Sequence, residues 1–450
     1  MKRRMLMIGA ISAGLLAVAL LSNRLGVVQG QQQMKPGAGF AAVPGKGGQD
    51  VFGPYDPVPN WRKPLAAVLP QYQGWTYSQA TDVYAEPGRV IVAQKGLLPV
   101  LPTGAQGRGG PATVWLPQVG PGIKFPVGGG VPLRETASAT PSCGDTPRPT
   151  PANPNCAALD AGDGRPGVDW KWEQVIVEFD DNGNVNKAAS DVWRQYDKIW
   201  GRPHDVEISP YDPQKRVWVV DADNHFVAVF SNDGKQRLMT LGTPGVPGTD
   251  DTHFARPTFL AFMDANTWYL ADGYDGTRVI KYDMAGKKLL QWGERGTPTP
   301  GNPEKRPGYW NNVHGIAVNA QTRRVYVNDR SNGRVQVFDD NGKFLDEWRY
   351  NTQANSPSNI HTIYVGNDGK LWAADQTTHK MLGYDTAGNF VYSWGTFGTC
   401  EGCLWGVHGF MADSAGNLWT SSVRDGRAQK FTPRAGANPA FLIAKPWGPR

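Results

Sequence analysis

Four histidines, His204, His314, His361 and His408, stand at one register of a repeated phrase, and imidazole is among the side chains best suited to hold a divalent metal. Three neutral imidazoles converging with one coordination position open is the arrangement that holds catalytic zinc. Two further copies of the phrase carry Thr81 and Thr258 at that register. A second group of polar side chains stands in the equivalent turn of three copies: Lys95 in VAQKG, Tyr274 in ADGYDGTR and Arg330 in NDRSNGR.

The clearest copy, HGIAVNAQTRRVYVNDRSNGRVQVFDDNGKFLDEW from His314 to Trp348, divides into four alternating runs separated by Asn, Asp and Gly turns. Each run reads as a strand of period two. The other copies align on their turns (DNGN at 181, NDGK at 232, MAGK at 284, TAGN at 386) and on a tryptophan closing the fourth strand, at Trp200, Trp292, Trp348 and Trp394. From His204 onward the register residues lie 47 to 56 residues apart, the period of a four-stranded propeller blade. The interval from Thr81 to His204 is about 70 residues longer and must hold an insertion. Six copies therefore predict an all-β, six-bladed β-propeller of four-stranded antiparallel blades, with 55 Gly and 36 Pro supplying its turns. Blade one opens at Ala80–Ala93 and resumes at Gln174–Phe179 around an insertion over 97–172, rich in Gly, Pro and Thr and placed to cover the channel mouth. The tail AFLIAKPW is a candidate last outer strand, and the terminal segment that closes the ring is left open.

In an antiparallel meander the start of strand one, the end of strand two, the start of strand three and the end of strand four share one edge. The register histidines and the second-turn residues thus meet on one face. His204, His314 and His408 come from blades two, four and six, alternate positions around the axis, and are the expected metal ligands. His361, equivalent in register and adjacent to both His314 and His408, either supports the ligands, contacts substrate or is structural. His225, His253 and His379 fall off the register and read as structural, and Arg334 reads as a structural bond to the neighbouring blade.

Lys2, Arg3 and Arg4 precede an uncharged run from Met5 to Ser22, and Val28 and Gly30 suit signal-peptidase cleavage before Gln31. Residues 1–30 read as a secretory signal, followed by a Gly/Pro-rich segment over 31–74 and the propeller over 75–450; an uncleaved membrane anchor is the alternative. The mature chain is then secreted or periplasmic. Without the signal the formal charge falls from +6 to +2, and no basic block remains that argues for nucleic acid. Export makes disulfides the expected state of the cysteines, Cys143 with Cys156 and Cys400 with Cys403 in CEGC.

The phrases GRPHDVEIS, ADGYDGTRVIKYDMAGKKLLQWGERG and NVHGIAVNAQTRRVYVNDRSNGRVQVFDDNGKFLDEW resemble the NHL-repeat propeller of peptidyl-α-hydroxyglycine α-amidating lyases over roughly residues 75–432. The resemblance implies His204, His314 and His408 as zinc ligands, Tyr274 as the catalytic proton acceptor and Arg330 as a substrate-positioning group. It also implies cleavage of the N–C bond of a carbinolamide in a small or peptide-derived substrate. Two positions depart from that pattern. Lys95 stands where the lyases carry an arginine, a point charge without a bidentate fork, and Gly409 follows His408 where an aspartate would support calcium, which makes calcium doubtful. A non-catalytic NHL propeller that binds a protein or glycan partner over the same face is the alternative from another class. A lactonase-like site would want Glu with Asn or Asp around its metal, where histidines stand instead.

Overall fold

The structure is a computed structural model that describes residues 52–100, 106–107, 110–111, 171–299, 304–349, 360–398 and 400–448. The signal, the Cys143–Cys156 pair and most of the insertion lie outside the described residues. Six antiparallel sheets form the blades, and their innermost strands are Ala80–Glu86, Pro203–Ile208, Leu260–Phe262, Val313–Asn319, Ile360–Val365 and Val407–Ala412. Blades two to five are each one continuous four-stranded meander, in order along the chain.

A repeated turn explains how such short strands find their register. Asp283, Asp339, Asp385 and Asp413 each accept hydrogen bonds through Oδ1 from the backbone amides two and four residues on. A glycine three residues after each aspartate takes the left-handed conformation that such a turn needs, φ 81° at Gly342 for example. Two of these glycines also seat the tryptophan of the preceding blade, Gly342 against Trp292 and Gly388 against Trp348, and Gly53, just before the strand that closes blade six, lies likewise against Trp394. Between blades the apolar faces of neighbouring sheets pack as sheet on sheet. Ile91, Ala93 and Ile176 of blade one, for instance, meet Val206, Val219 and Ala228 of blade two.

Blade one departs from the four-stranded expectation. It has three strands, Ala80–Glu86, Arg89–Gln94 and Ile176–Phe179, and the chain then turns into the helix Lys187–Trp193, capped by Asn186, and a 3-10 turn over Arg194–Ile199. Trp200 accordingly closes no strand. Trp193, on the helix, takes the place against Gly234 of blade two that strand-four tryptophans take elsewhere. Asp197 fixes this substitute to the third strand by accepting the Gln174 and Val175 amides, each at 3.0 Å.

The ring is closed at blade six by Tyr55–Pro57, which pairs antiparallel with Ala428–Pro433, and not by the tail. The AFLIAKPW segment instead docks by single contacts. Asn367 N donates to Lys445 O at 2.8 Å, Tyr364 Oη to Ala444 O at 2.9 Å and Ile443 N to Tyr55 Oη at 2.8 Å. Its Pro446 and Trp447 line a cavity of ≈ 110 Å³ in the channel. A strand from one end of the chain completing the sheet made by the other removes two open edges at once. Among the described residues no helix is long and apolar enough to cross a membrane.

Candidate metal centre

A bulge at the start of the inner strand sets the direction of each register side chain. The antiparallel ladder skips Thr81, His204, His314, His361 and His408 in their respective blades, so two inner-strand positions oppose one on strand two. An extra residue of this kind bends the strand and re-aims its side chain. Thr258 lies just before the blade-three strand, and its amide N–H donates to Ala271 O at 2.9 Å.

The re-aimed side chains then form a ring around the channel in which each bonds the backbone of the next blade. His204 Nδ1 donates to Thr258 O at 3.0 Å, Thr258 Oγ1 to His314 O at 2.7 Å and His314 Nδ1 to His361 O at 2.6 Å. His408 Nδ1 donates to Thr81 O at 2.7 Å, and Thr81 Oγ1 to Pro203 O at 2.6 Å. A carbonyl oxygen only accepts, so these bonds place the proton of each of the three imidazoles on Nδ1 and leave Nε2 with a lone pair. The donor atoms of His204, His314 and His408 lie within 4.8 Å of one another, and all three residues are buried.

Burial, above all, holds these rings neutral. It drives His204 and His314 well below the ordinary value of 6.5, helped by neighbouring imidazoles and by Arg202 and Arg330, and brings His408 down to about 3. Lys95 is buried and its charge also acts on His408. Phe259 packs edge-on to His204 at 4.8 Å between centroids and lies 5.4 and 5.5 Å from His314 and His408, which gives the cluster an apolar wall.

Tyr274 reaches the same point. Its hydroxyl lies 3.1 Å from His204 Nε2 and 2.9 Å from His314 Nε2. Both nitrogens are acceptors but the hydroxyl has one proton, so one of the two contacts carries no hydrogen bond. A cation accepting the lone pairs would resolve that conflict, and neutral imidazoles with carbonyl-locked Nδ1 are the donors zinc requires. The residues present therefore fit a zinc ion. Gly273 makes the turn possible, because a Cβ there would sit 2.1 Å from the Val313 carbonyl oxygen.

Arg202 and Arg256 were not singled out from sequence. Their guanidinium carbons lie 4.8 and 4.6 Å from the centroid of the Tyr274 ring, and both arginines pair with Asp223, at 3.2 and 3.0 Å. The signal was present: each precedes a proline and the register residue, in GRPH and in ARPT. Arg330 donates from a terminal nitrogen to His361 Nε2 at 3.1 Å. Arg334 is fully buried, pairs with Asp329 and Glu347 of its own blade at 2.8 and 2.7 Å, and donates to Arg306 O and Tyr309 O of the segment that joins blade three to blade four. His225 Nδ1 accepts from the Arg256 amide, His253 pairs with Asp250 and His379 packs on Phe397, all away from the three-histidine cluster. Cys400 and Cys403 form a disulfide.

Gly409 does not leave an empty place. A Cβ there would lie 1.7 Å from Asp82 Oδ1, so the carboxylate of another blade fills the space. Asp82 also accepts the Val206 amide and bonds Asp205, which accepts the Leu260 amide at 2.7 Å. Burial raises Asp82 to about 6, and burial, then Asp82 and Glu207, raise Asp205 well above the carboxylate range. The position that an aspartate would occupy after His408 is thus taken by a carboxylate from blade one, and no role is assigned to calcium.

The NHL-repeat family model matches residues 311–338, within blade four. Peptidyl-alpha-hydroxyglycine alpha-amidating lyase 1 of Drosophila melanogaster is 27% identical over 273 residues, 56% of this chain and 48% of its own length. Peptidylglycine alpha-amidating monooxygenase of Rattus norvegicus is 32% identical over 138 residues, 30% of this chain and 13% of its own. The chain thus spans less than half the length of these relatives. A solved gluconolactonase of Xanthomonas campestris covers 57% of this chain and 78% of its own at 14% identity and a TM-score of 0.40. This chain is a six-bladed β-propeller with an NHL-repeat match in blade four, and it is similar, distantly and at modest identity, to the amidating enzymes.

Proposed function

We propose that the chain is an exported zinc-dependent lyase that cleaves the N–C bond of a carbinolamide, releasing an amide and glyoxylate. The observation that carries this reading is Tyr274 Oη within hydrogen-bond reach of two ligand-type Nε2 atoms, 3.1 and 2.9 Å away. His204, His314 and His408 would hold the zinc, which as a Lewis acid would acidify the substrate hydroxyl. Tyr274 would take that hydroxyl proton and return it to the departing amide nitrogen. The O–H and C–N bonds break while a C=O and an N–H bond form, with no redox partner. Arg330 suits a substrate carboxylate, since among the described residues it makes no ion pair with an acid. Lys95, Arg202 and Arg330 all bear electrostatically on His408, which favours an anionic substrate further. The signal-like N-terminus and the Cys400–Cys403 disulfide support export to an oxidising compartment.

Metal analysis of the mature protein beside a His314→Ala variant tests the site. Stoichiometric zinc, lost in the variant, together with glyoxylate release from α-hydroxyhippurate is the expected result. Absence of metal from both, after purification without chelators, would return the chain to the reading of a propeller that binds a protein or glycan.

A further inference from the structure

His361 breaks the ring of bonds that the other register residues complete. By the rule its neighbours obey, its Nδ1 would donate to the backbone of blade six, as His314 Nδ1 donates to His361 O and His408 Nδ1 to Thr81 O. Instead His361 Nδ1 is buried without a hydrogen-bond partner among the described residues, and Nε2 accepts from Arg330 at 3.1 Å. Arginine only donates, so Nε2 is unprotonated and the proton sits on the unpartnered Nδ1. An unmet buried donor costs about 1–3 kcal/mol, and a local rule broken at that cost is characteristic of functional sites. Burial and the Arg330 charge keep the ring neutral, which this geometry needs.

Arg330 has little else to hold it. Arg278 is anchored on Asp272 and Arg334 on Asp329 and Glu347, whereas the His361 bond is the one side-chain contact found for the Arg330 guanidinium among the described residues. The remaining N–H groups of a planar fork anchored at one corner stay available to a carboxylate. The His361 ring centroid is 5.8 Å from that of His314 and 5.1 Å from that of His408, so the anchored guanidinium lies beside the candidate metal.

We infer that His361 is a positioning residue that holds Arg330 as an anion clamp beside the three-histidine centre, and thereby sets a preference for ligands with a carboxylate next to the metal-bound oxygen. The substrate class rests on the proposed lyase reading, but the clamp does not. The test compares glycolate with its neutral analogue glycolamide by calorimetry on the zinc-loaded protein, in wild type, His361→Phe and His361→Gln, with zinc content and Tm measured alongside. Glycolate should bind wild type at least about tenfold more tightly than glycolamide, the preference expected of one charge-assisted pair. His361→Phe should reduce that ratio to within about threefold of unity with zinc retained, and His361→Gln, whose Oε1 can accept from Arg330, should restore it. Should His361→Phe fail to fold, His361→Leu serves the same comparison.

An unchanged ratio in the apolar variant, or an equal loss of both ligands, would overturn the assignment, as would a wild type with no preference. Turnover of α-hydroxyhippurate is measured separately. Turnover with an unchanged ratio refutes the clamp and spares the lyase reading, and a lost ratio without turnover does the reverse.

Discussion

Replacing Tyr274 by Phe is expected to move metal affinity and activity in opposite directions. In the metal-free protein the hydroxyl satisfies one of two Nε2 atoms, at 3.1 Å on His204 or 2.9 Å on His314, because both Nδ1 atoms are committed as donors to carbonyls. Metal binding uses those lone pairs and so breaks that bond. A net hydrogen bond of this kind contributes about 0.5–1.5 kcal/mol, so Tyr274→Phe should tighten zinc binding roughly 2- to 12-fold by destabilising the metal-free state. Losing a proton-transfer group in the same variant should lower turnover by roughly 10²- to 10⁴-fold. Competition against a fluorescent chelator at constant pH, repeated with cobalt for its visible spectrum, reads the affinity directly. A tenfold or greater weakening would refute the reasoning, for it would make the phenolic oxygen a ligand and not a competitor.

Three further outcomes follow from the geometry. His408 is held at about 3 by burial against an ordinary 6.5, so its contribution is complete above 6.5 and is lost as pH falls toward 3, where the unfolded chain alone takes up the proton. The stability difference between metal-free wild type and His408→Gln should therefore shift by about 2 kcal/mol against wild type between pH 7 and pH 5 in urea melts, and a flat difference would contradict the assignment. Gly273→Ala, which puts a Cβ 2.1 Å from Val313 O, should cost about 1–3 kcal/mol and displace Tyr274, and an unchanged melt with full activity would show that the turn tolerates a side chain. Removing the chain through Pro57 deletes the strand paired with Ala428–Pro433 and should lower Tm by on the order of 10 °C, whereas trimming Gly448–Arg450 should leave Tm unchanged by differential scanning calorimetry.

Periodicity made the propeller legible, because a blade that cannot bury its faces alone must repeat its turns and alternation at a fixed spacing. The shared register of His204, His314 and His408, and the turn positions of Tyr274 and Arg330, were readable for the same reason: equivalent positions in a meander lie on one edge. Blade one was misread at Trp200 because a tryptophan at the right interval looks the same on a helix end as on a strand, and only packing against Gly234 picks out Trp193. The closing strand was illegible because Tyr55–Pro57 has three residues and no periodicity, and its pairing with Ala428–Pro433 spans nearly the whole chain.

Sequence by itself determined which residues could meet. Tertiary structure decided what each one does. Four histidines look alike in the repeat, yet three turn Nδ1 to a neighbouring carbonyl and one turns Nε2 to Arg330. The place left by Gly409 is filled by Asp82 from the adjoining blade, a replacement that no spacing announces. Those choices depend on proton placement and on distances between blades, which are set when the ring closes and all six sheets pack together.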